Sequence, residues 1–199
     1  MKVLSVALLA LYFVVMFPLL HRLDRLGNYA SYFFELAFIV ITGFLVRRRL
    51  GFRIPGWEST APDLGLGLLG GFIAYKLAAP LGLPIPFDLS SGETILLLLL
   101  IGPLIEELVF RMALWELFSE FIHGRAAILN WTSAVFSFAH FFAWFSVPAE
   151  LHGFVIYQTF YTFGLGLYCG WRKQRTGSMV APVLVHMAFN LGFLFGFQS

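Results

Sequence analysis

Long runs of apolar residues, separated by short clusters of charged residues, proline and glycine, dominate the chain. A helix needs about 20 mostly apolar residues to cross about 30 Å of hydrocarbon. Cutting the sequence at its polar clusters predicts seven such spans. They cover residues 3–20, 29–46, 62–80, 93–118, 126–146, 151–171 and 178–197. The runs do not alternate between apolar and polar positions, so helices are favoured over the strands of a membrane barrel.

The composition favours the same class of protein. Apolar residues make up 59% of the 199 positions and charged residues 12%, whereas soluble domains have about 45–50% and about 25%. The chain therefore has too little polar surface to face water. We predict an all-α polytopic membrane protein, a bundle of about seven transmembrane helices within a range of six to eight. At this length, residues 1–199 form a single transmembrane domain.

The positions of lysine and arginine predict the orientation of these spans, because cytoplasmic loops are enriched in both residues. With the N-terminus inside, nine of the 13 basic residues fall on the cytoplasmic side: Lys2, Arg47, Arg48, Arg49, Arg53, Arg125, Arg172, Lys173 and Arg175. Arg22 and Arg25 fall in an outer loop. We therefore predict a cytoplasmic N-terminus and an external C-terminus. The net charge of +2 is too small and dispersed for a nucleic-acid partner.

Several ionisable or amide side chains lie inside the predicted spans. Ionisable groups in hydrocarbon cost at least ~2.5 kcal/mol each on insertion scales, so they indicate a functional site by default. The set consists of Glu106, Glu107 and Arg111 in the fourth span, His140 in the fifth, and His186 and Asn190 in the seventh. Two stripes of glycine, at Gly65, Gly67 and Gly71 and at Gly164, Gly166 and Gly170, suit close helix packing instead.

Helix geometry divides the first cluster into two parts. Glu107 and Arg111 are four residues apart with the glutamate first, which favours an ion pair along one helix face. Glu106 points about 100° away from Glu107. It is therefore free to face a cavity, where a carboxylate can act as a general base.

The seventh span presents His186 and Asn190 four residues apart, on one helix face. Together they can offer two hydrogen-bond donors to one point, as an oxyanion hole requires. His140 lies one turn beyond Phe136 in the fifth span. The alternative interpretation is that these groups only hold helices together by hydrogen bonds.

Three short motifs resemble those of a known family. Glu106-Glu107-Leu-Val-Phe-Arg111 is similar to its EExxxR motif, Phe136-Ser-Phe-Ala-His140 to its FxxxH motif, and His186-Met-Ala-Phe-Asn190 to its HxxxN motif. The family is that of the CAAX-protease and bacteriocin-processing proteins, also called CPBP or Abi, which are intramembrane proteases. The resemblance covers about residues 92–197, with the three motifs in the family's order.

This resemblance implies a glutamic endopeptidase with a polar catalytic cavity inside the membrane. Glu106, helped by His140, would activate a water molecule, and His186 and Asn190 would form the oxyanion hole. Glu107, Arg111 and Phe136 would orient the site. Members have also been described as metalloproteases, and Glu106, His140 and His186 would then be the zinc ligands. The sequence contains no HExxH motif, so we expect no cofactor and favour the metal-free mechanism.

Two other functions fit the same residues. The chain could be a non-catalytic membrane adaptor or bacteriocin-immunity protein with a structural polar network, or a small transporter with a proton relay. For the protease, the expected partners are the lipid bilayer and a membrane protein or peptide substrate of unspecified kind. The absence of a targeting signal and the short chain favour a prokaryotic plasma membrane. The sequence does not specify the oligomeric state, the cleavage site or the face of substrate access.

Overall fold

The computed structural model describes residues 2–19, 29–46 and 51–199 of the chain. All regular elements in these ranges are helices, which we number α1 to α7. Their bounds are Lys2–Val14 with a π-helical turn Val15–Leu19 (α1), Ala30–Val46 (α2), Trp57–Ala78 (α3), the continuous rod 92–119 (α4), Arg125–Phe141 with a 3-10 turn Phe142–Phe145 (α5), His152–Thr176 after a 3-10 turn Ala149–Leu151 (α6), and Val180–Gln198 (α7). Each predicted span overlaps one of these helices, and residue 20 of the first predicted span lies outside the described residues.

Two helices in the described ranges are both long and apolar enough to cross a membrane by themselves. They cover residues 125–145 and 180–198, while the helices over 2–17 and 30–45 are apolar but shorter. In α4, the charged side chains of Glu107 and Arg111 interrupt the apolar sequence. The all-helical fold of the prediction is therefore confirmed, whereas seven separate crossings remain a prediction.

Helix α4 contains two π-helical segments, one before the first motif and one that overlaps it. Its α-helical segments are Gly92–Leu96, Gly102–Glu107 and Leu114–Ser119, and its π-helical segments are Leu97–Ile101 and Leu108–Ala113. Such π-helical turns are rare and occur frequently at functional sites. Pro103 follows the first of them and has no N–H to donate to the helix. The six residues Gly102–Glu107 thus stand between two widened turns in the middle of the bundle.

Two apolar clusters pack against α4 and fix its position. One joins α1, α2, α4 and α5 through buried side chains that include Tyr12, Phe110 and Phe136. The other joins α3, α6 and α7 around Phe154 and Phe189, with leucines from the beginning of α4 packed against it. Burying apolar surface contributes roughly 25 cal/mol per Å² in water, and inside a bilayer the same side chains contribute through close packing.

The bundle has two chemically different ends. At one end, the Tyr29 hydroxyl donates to the Glu93 carboxylate and so joins the start of α2 to the start of α4. At the other end, Gln174 donates to the Arg125 carbonyl, 2.7 Å away, and joins the end of α6 to the start of α5. The second end carries Arg53, Arg125, Arg172, Lys173 and Arg175, and we call it the basic end. Arg22, Arg25, Arg47, Arg48 and Arg49, which the orientation prediction also uses, lie outside the described residues.

Helices α3 and α7 meet backbone to backbone through glycines. A Cβ atom added to Gly71 would lie 1.7 Å from the Phe189 carbonyl oxygen, and one added to Gly192 would lie 2.0 Å from that of Leu68. A larger residue at either position would force the helices apart. This contact sets the depth and rotation of α7, which carries His186 and Asn190.

We expect Gly71→Ala to destabilise the protein by about 3 kcal/mol, because the added methyl group overlaps a backbone oxygen that cannot move independently. The free energy of unfolding in detergent measures the effect. Gly65→Ala in the same helix is the matched control, since a Cβ at that position has no neighbouring atom within 4 Å. Equal stability of the two variants would contradict the packing described for α3 and α7.

Candidate active site

A cavity of about 360 Å³ lies among α4, α5, α6 and α7. Four of the residues selected from the sequence line it: Glu106, His140, His186 and Asn190. Glu107 and Arg111 lie behind its wall and are completely buried. The three motifs, which are far apart in the chain, therefore meet at one place in the fold.

The ion pair expected along α4 is present. Arg111 Nε lies 3.3 Å from Glu107 Oε2, and Arg111 Nη2 donates to the carbonyl oxygen of Gly166, 3.1 Å away. A Cβ on Gly166 would lie 3.2 Å from the same Nη2 atom, so the missing side chain allows the close approach of α6. A charge buried this deeply is tolerated only when it is paired.

His186 links this buried pair to the cavity. Its Nδ1 atom is 3.0 Å from Glu107 Oε1, and its Nε2 atom is 3.7 Å from Glu106 Oε2. The Glu107 carboxylate, paired with Arg111, can only accept, so His186 Nδ1 carries the proton. In neutral His186, Nε2 therefore has a lone pair and faces Glu106. The Glu106 side chain is 27% exposed and borders the cavity, as the helix rotation predicts.

His140 is fixed in the same tautomer. Its Nδ1 atom lies 2.9 Å from the backbone carbonyl oxygen of Phe136, which can only accept, so Nδ1 donates and Nε2 keeps the lone pair. The Phe136 ring makes edge-to-face contacts with both histidines, with ring centroids 4.7 Å from His140 and 5.7 Å from His186. The Arg111 guanidinium lies 5.0 Å from the same ring. Phe136 thus touches three of the polar groups around the site.

Asn190 makes a contact that the sequence pattern does not predict. Its Nδ2 atom donates to the Leu98 carbonyl oxygen at 2.7 Å. The donors four and five residues further on do not reach this oxygen, because the Gly102 N–H is bonded to the Leu97 carbonyl and Pro103 has no N–H. Asn190 therefore satisfies a backbone group released by the π-helical turn.

The structure limits which hydrogens His186 and Asn190 can offer to one point in the cavity. One amide hydrogen of Asn190 is engaged with Leu98, and the Nδ1 hydrogen of His186 with Glu107. The second amide hydrogen of Asn190 remains for the cavity. His186 can donate into the cavity only from Nε2, when it is an imidazolium.

The cavity also contains polar residues that the sequence analysis missed. Gln158, Tyr161 and Thr162 of α6 line it, together with Tyr32 and Thr94. Gln158 and Thr162 are four residues apart and share a helix face, which is the signal that could have identified them. They belong to none of the three motifs, and the function of α6 in the wall becomes visible only in the fold.

A pre-formed metal site is absent from the described part of the chain. No group of three or more His, Cys, Asp or Glu residues there is placed to hold a metal ion. Glu106, His140 and His186, the alternative zinc ligands, line one cavity without forming such a group.

Fold and site together define a class: an all-helical membrane protein with a buried glutamate, arginine and histidine network beside an internal cavity. Residues 91–192 match the model of a protein family described as Type II CAAX prenyl endopeptidase Rce1-like. The chain belongs to this family of membrane endopeptidases. The matched range contains all three motifs. No curated protein and no solved structure matches the chain.

Proposed function

We propose that the protein is an intramembrane glutamic endopeptidase of the CPBP (Abi) type, with seven spans in a prokaryotic plasma membrane. It would hydrolyse a peptide bond of a membrane-associated protein or peptide without a metal ion. One observation carries the proposal. The Glu106 carboxylate borders a cavity that also receives His140 and His186, and both histidines have Nδ1 bonded to an acceptor.

The first step is the activation of water. Glu106 accepts one proton of a water molecule, while the Nε2 lone pair of His140 accepts a hydrogen bond from the other and orients the oxygen. The water oxygen attacks the peptide carbonyl carbon, and the proton passes to Glu106. The carbonyl oxygen becomes an oxyanion.

The second step is the collapse of this tetrahedral intermediate. The free amide hydrogen of Asn190 stabilises the oxyanion, and His186 adds a second donor in enzyme molecules in which Nε2 already carries a proton before the water attacks. Glu107, backed by Arg111, accepts the Nδ1 hydrogen of His186 and holds the imidazole ring in position. Glu106 then returns its proton to the leaving nitrogen, the carbon–nitrogen bond breaks, and the Glu106 carboxylate is regenerated.

The lining of the cavity supports a proposal for the side of the membrane from which the substrate enters and for the side chains that it carries. Its lining extends to Phe87 and Thr94, near the start of α4 and therefore opposite the basic end. With the N-terminus in the cytoplasm, this is the external side. The aromatic lining, which includes Tyr161 and Phe193, favours apolar side chains next to the cleaved bond. We therefore expect substrates whose cleaved segment is exported or embedded in the membrane.

A comparison of protein termini in the native host tests this function without a known substrate. Cells that produce either the wild type or Glu106→Gln at equal levels are fractionated, and new N- and C-termini are identified by mass spectrometry in the membrane and exported proteins. A terminus found only with the wild type supports the protease and identifies its substrate. Identical termini would favour the non-catalytic adaptor or immunity protein.

We expect Asn190→Ala to lower kcat by about 10²–10³-fold with a small change in KM, because an oxyanion donor acts mainly in the transition state. Kinetics on the identified substrate measure the two constants separately. Gln158→Ala is the matched control, since it removes an amide from the same cavity without touching Leu98. A rise in KM at constant kcat would show that Asn190 binds substrate instead.

A further inference from the structure

A second cavity lies at the basic end of the bundle, far from the Glu106 site. It has a volume of about 440 Å³ and is formed by the segment before α3, the first turn of α3, and the end of α6 with the residues that follow it. Three arginines line it: Arg53, Arg172 and Arg175. We call this cavity the arginine pocket.

The arginine pocket has an excess of positive charge. Arg172 Nη2 lies 2.5 Å from Asp63 Oδ2, so one of the three charges is compensated. Within the part of the chain that the structure describes, neither Arg53 nor Arg175 lies within ion-pair distance of a carboxylate. The lining itself contains no acidic residue. Two uncompensated cations therefore face one cavity.

Arg172 is held rigidly at the base of the arginine pocket. Asp63, which pairs with it, also accepts a hydrogen bond of 2.7 Å from the Tyr168 hydroxyl, and Arg172 Nη2 donates to the Ser59 carbonyl. The residue is 8% exposed, and its Nε atom has no hydrogen-bond partner. A buried guanidinium N–H without a partner is costly. Arg172 therefore presents a fixed positive charge at the base of the pocket.

Helix α3 begins at the same cavity. Gly56 precedes its first turn, and no side chain caps the helix there. The N–H groups of an uncapped first turn and the helix dipole favour an anion at this position. Gly56 and Ser59 both line the cavity, so the dipole adds to the field of the arginines.

The surroundings of the arginine pocket resemble a membrane–water boundary. Trp171 lies between two of the arginines, with Arg172 and Arg175 each 5.4 Å from its ring, and it is partly exposed together with Trp57. Tryptophans concentrate at the level of lipid headgroups. Further along the two helices, Leu66 and Phe160 expose apolar side chains at the depth where acyl chains would lie. An anion bound here would therefore stand at headgroup level.

We propose that the arginine pocket binds the phosphate of an anionic phospholipid headgroup, phosphatidylglycerol being the test case. Arg53 and Arg175 contact the phosphate from the open side, Arg172 and the first turn of α3 from the base, and the acyl chains lie along α3 and α6. Planar guanidinium groups suit phosphate because they donate two parallel hydrogen bonds. The site is separate from the proposed catalytic cavity and does not depend on proteolysis.

Native mass spectrometry of the full chain in neutral detergent tests the proposal. Dioleoylphosphatidylglycerol and dioleoylphosphatidylcholine are added to the wild type and to the double variant Arg53→Gln/Arg175→Gln. We expect the wild type to retain phosphatidylglycerol preferentially, and the double variant to bind it about thirtyfold more weakly. The single variant Arg175→Gln should bind phosphatidylglycerol about fivefold more weakly than the wild type. It replaces the double variant in the test if the double variant does not fold.

The control variant Lys2→Gln/Arg125→Gln removes the same charge from exposed positions outside the arginine pocket and should keep the lipid preference. Loss of binding in this control, or unchanged binding in both arginine variants, would overturn the proposal. A third arm adds inorganic phosphate as a competitor. If phosphate displaces the lipid at equal concentration, the assignment to a lipid headgroup is wrong.

Discussion

Glu106→Gln is expected to lower the rate of peptide hydrolysis by about 10²–10⁴-fold, the usual effect of losing a general base. The amide keeps the size of the side chain but cannot accept the proton of the attacking water. The fold should not change, because Glu106 is partly exposed to the cavity and lies 3.7 Å from His186 Nε2, beyond hydrogen-bond distance. Kinetics on the identified substrate, with the melting temperature measured in parallel, show both effects.

The control for this prediction is Glu58→Gln. Glu58 lies in the first turn of α3, is exposed, and is far from the cavity, so its amide variant should cleave like the wild type. Cleavage by Glu106→Gln at a rate close to that of the wild type, in protein of unchanged stability, would remove Glu106 from the mechanism.

Arg111→Met is expected to lower the free energy of unfolding by about 3–5 kcal/mol, the usual cost of removing one partner of a buried ion pair. Both members of the pair are completely buried, so water cannot solvate the Glu107 carboxylate that remains. The variant also loses the hydrogen bond to Gly166. Unfolding in a titration with denaturing detergent measures the change.

Two further variants test whether the loss of stability comes from the unpaired buried charge. Lys173→Met removes a more exposed pair, in which Nζ lies 3.9 Å from Glu116 Oε1, and should cost at most about 1 kcal/mol. Glu107→Leu combined with Arg111→Met removes the buried charges together and should recover part of the lost stability. The double variant should remain inactive, because His186 Nδ1 has lost its acceptor. Activity at the wild-type level in the double variant would show that the pair does not position His186.

The relation between Glu106, Glu107 and Arg111 could be predicted from the sequence because it depends on helix rotation alone. The pair forms and Glu106 faces the cavity, even though Leu108–Ala113 is π-helical. Positions within one helix follow from local geometry. The roles of these residues in catalysis remain predictions.

The hydrogen bond between Asn190 and Leu98 could not be predicted in this way. It depends on a change of winding in α4 that releases one carbonyl, and on the depth at which α7 packs against α4. That depth is set by contacts between α7 and α3 at Gly71 and Gly192. Tertiary contacts of this kind have no signature in the spacing of one motif.

The helices themselves were largely predictable from apolar runs, but their boundaries were less so. The predicted third span begins at residue 62, whereas α3 begins five residues earlier at Trp57 and includes the polar residues Glu58, Ser59 and Thr60. Its first turn is stabilised by Ser59 and Thr60, whose hydroxyl groups donate to the Gly56 carbonyl. A polar first turn at a membrane boundary is helical without being apolar, so hydropathy alone places the start too late.

A single-turnover reaction in ¹⁸O-labelled water tests the central claim most directly. The wild-type protein cleaves the substrate identified from its termini, and mass spectrometry locates the label. If Glu106 activates water, the new C-terminal carboxylate of the product contains ¹⁸O and the Glu106 side chain contains none. Label in the Glu106 carboxylate would instead show that Glu106 attacks the peptide bond itself, and would contradict the mechanism proposed for this protein.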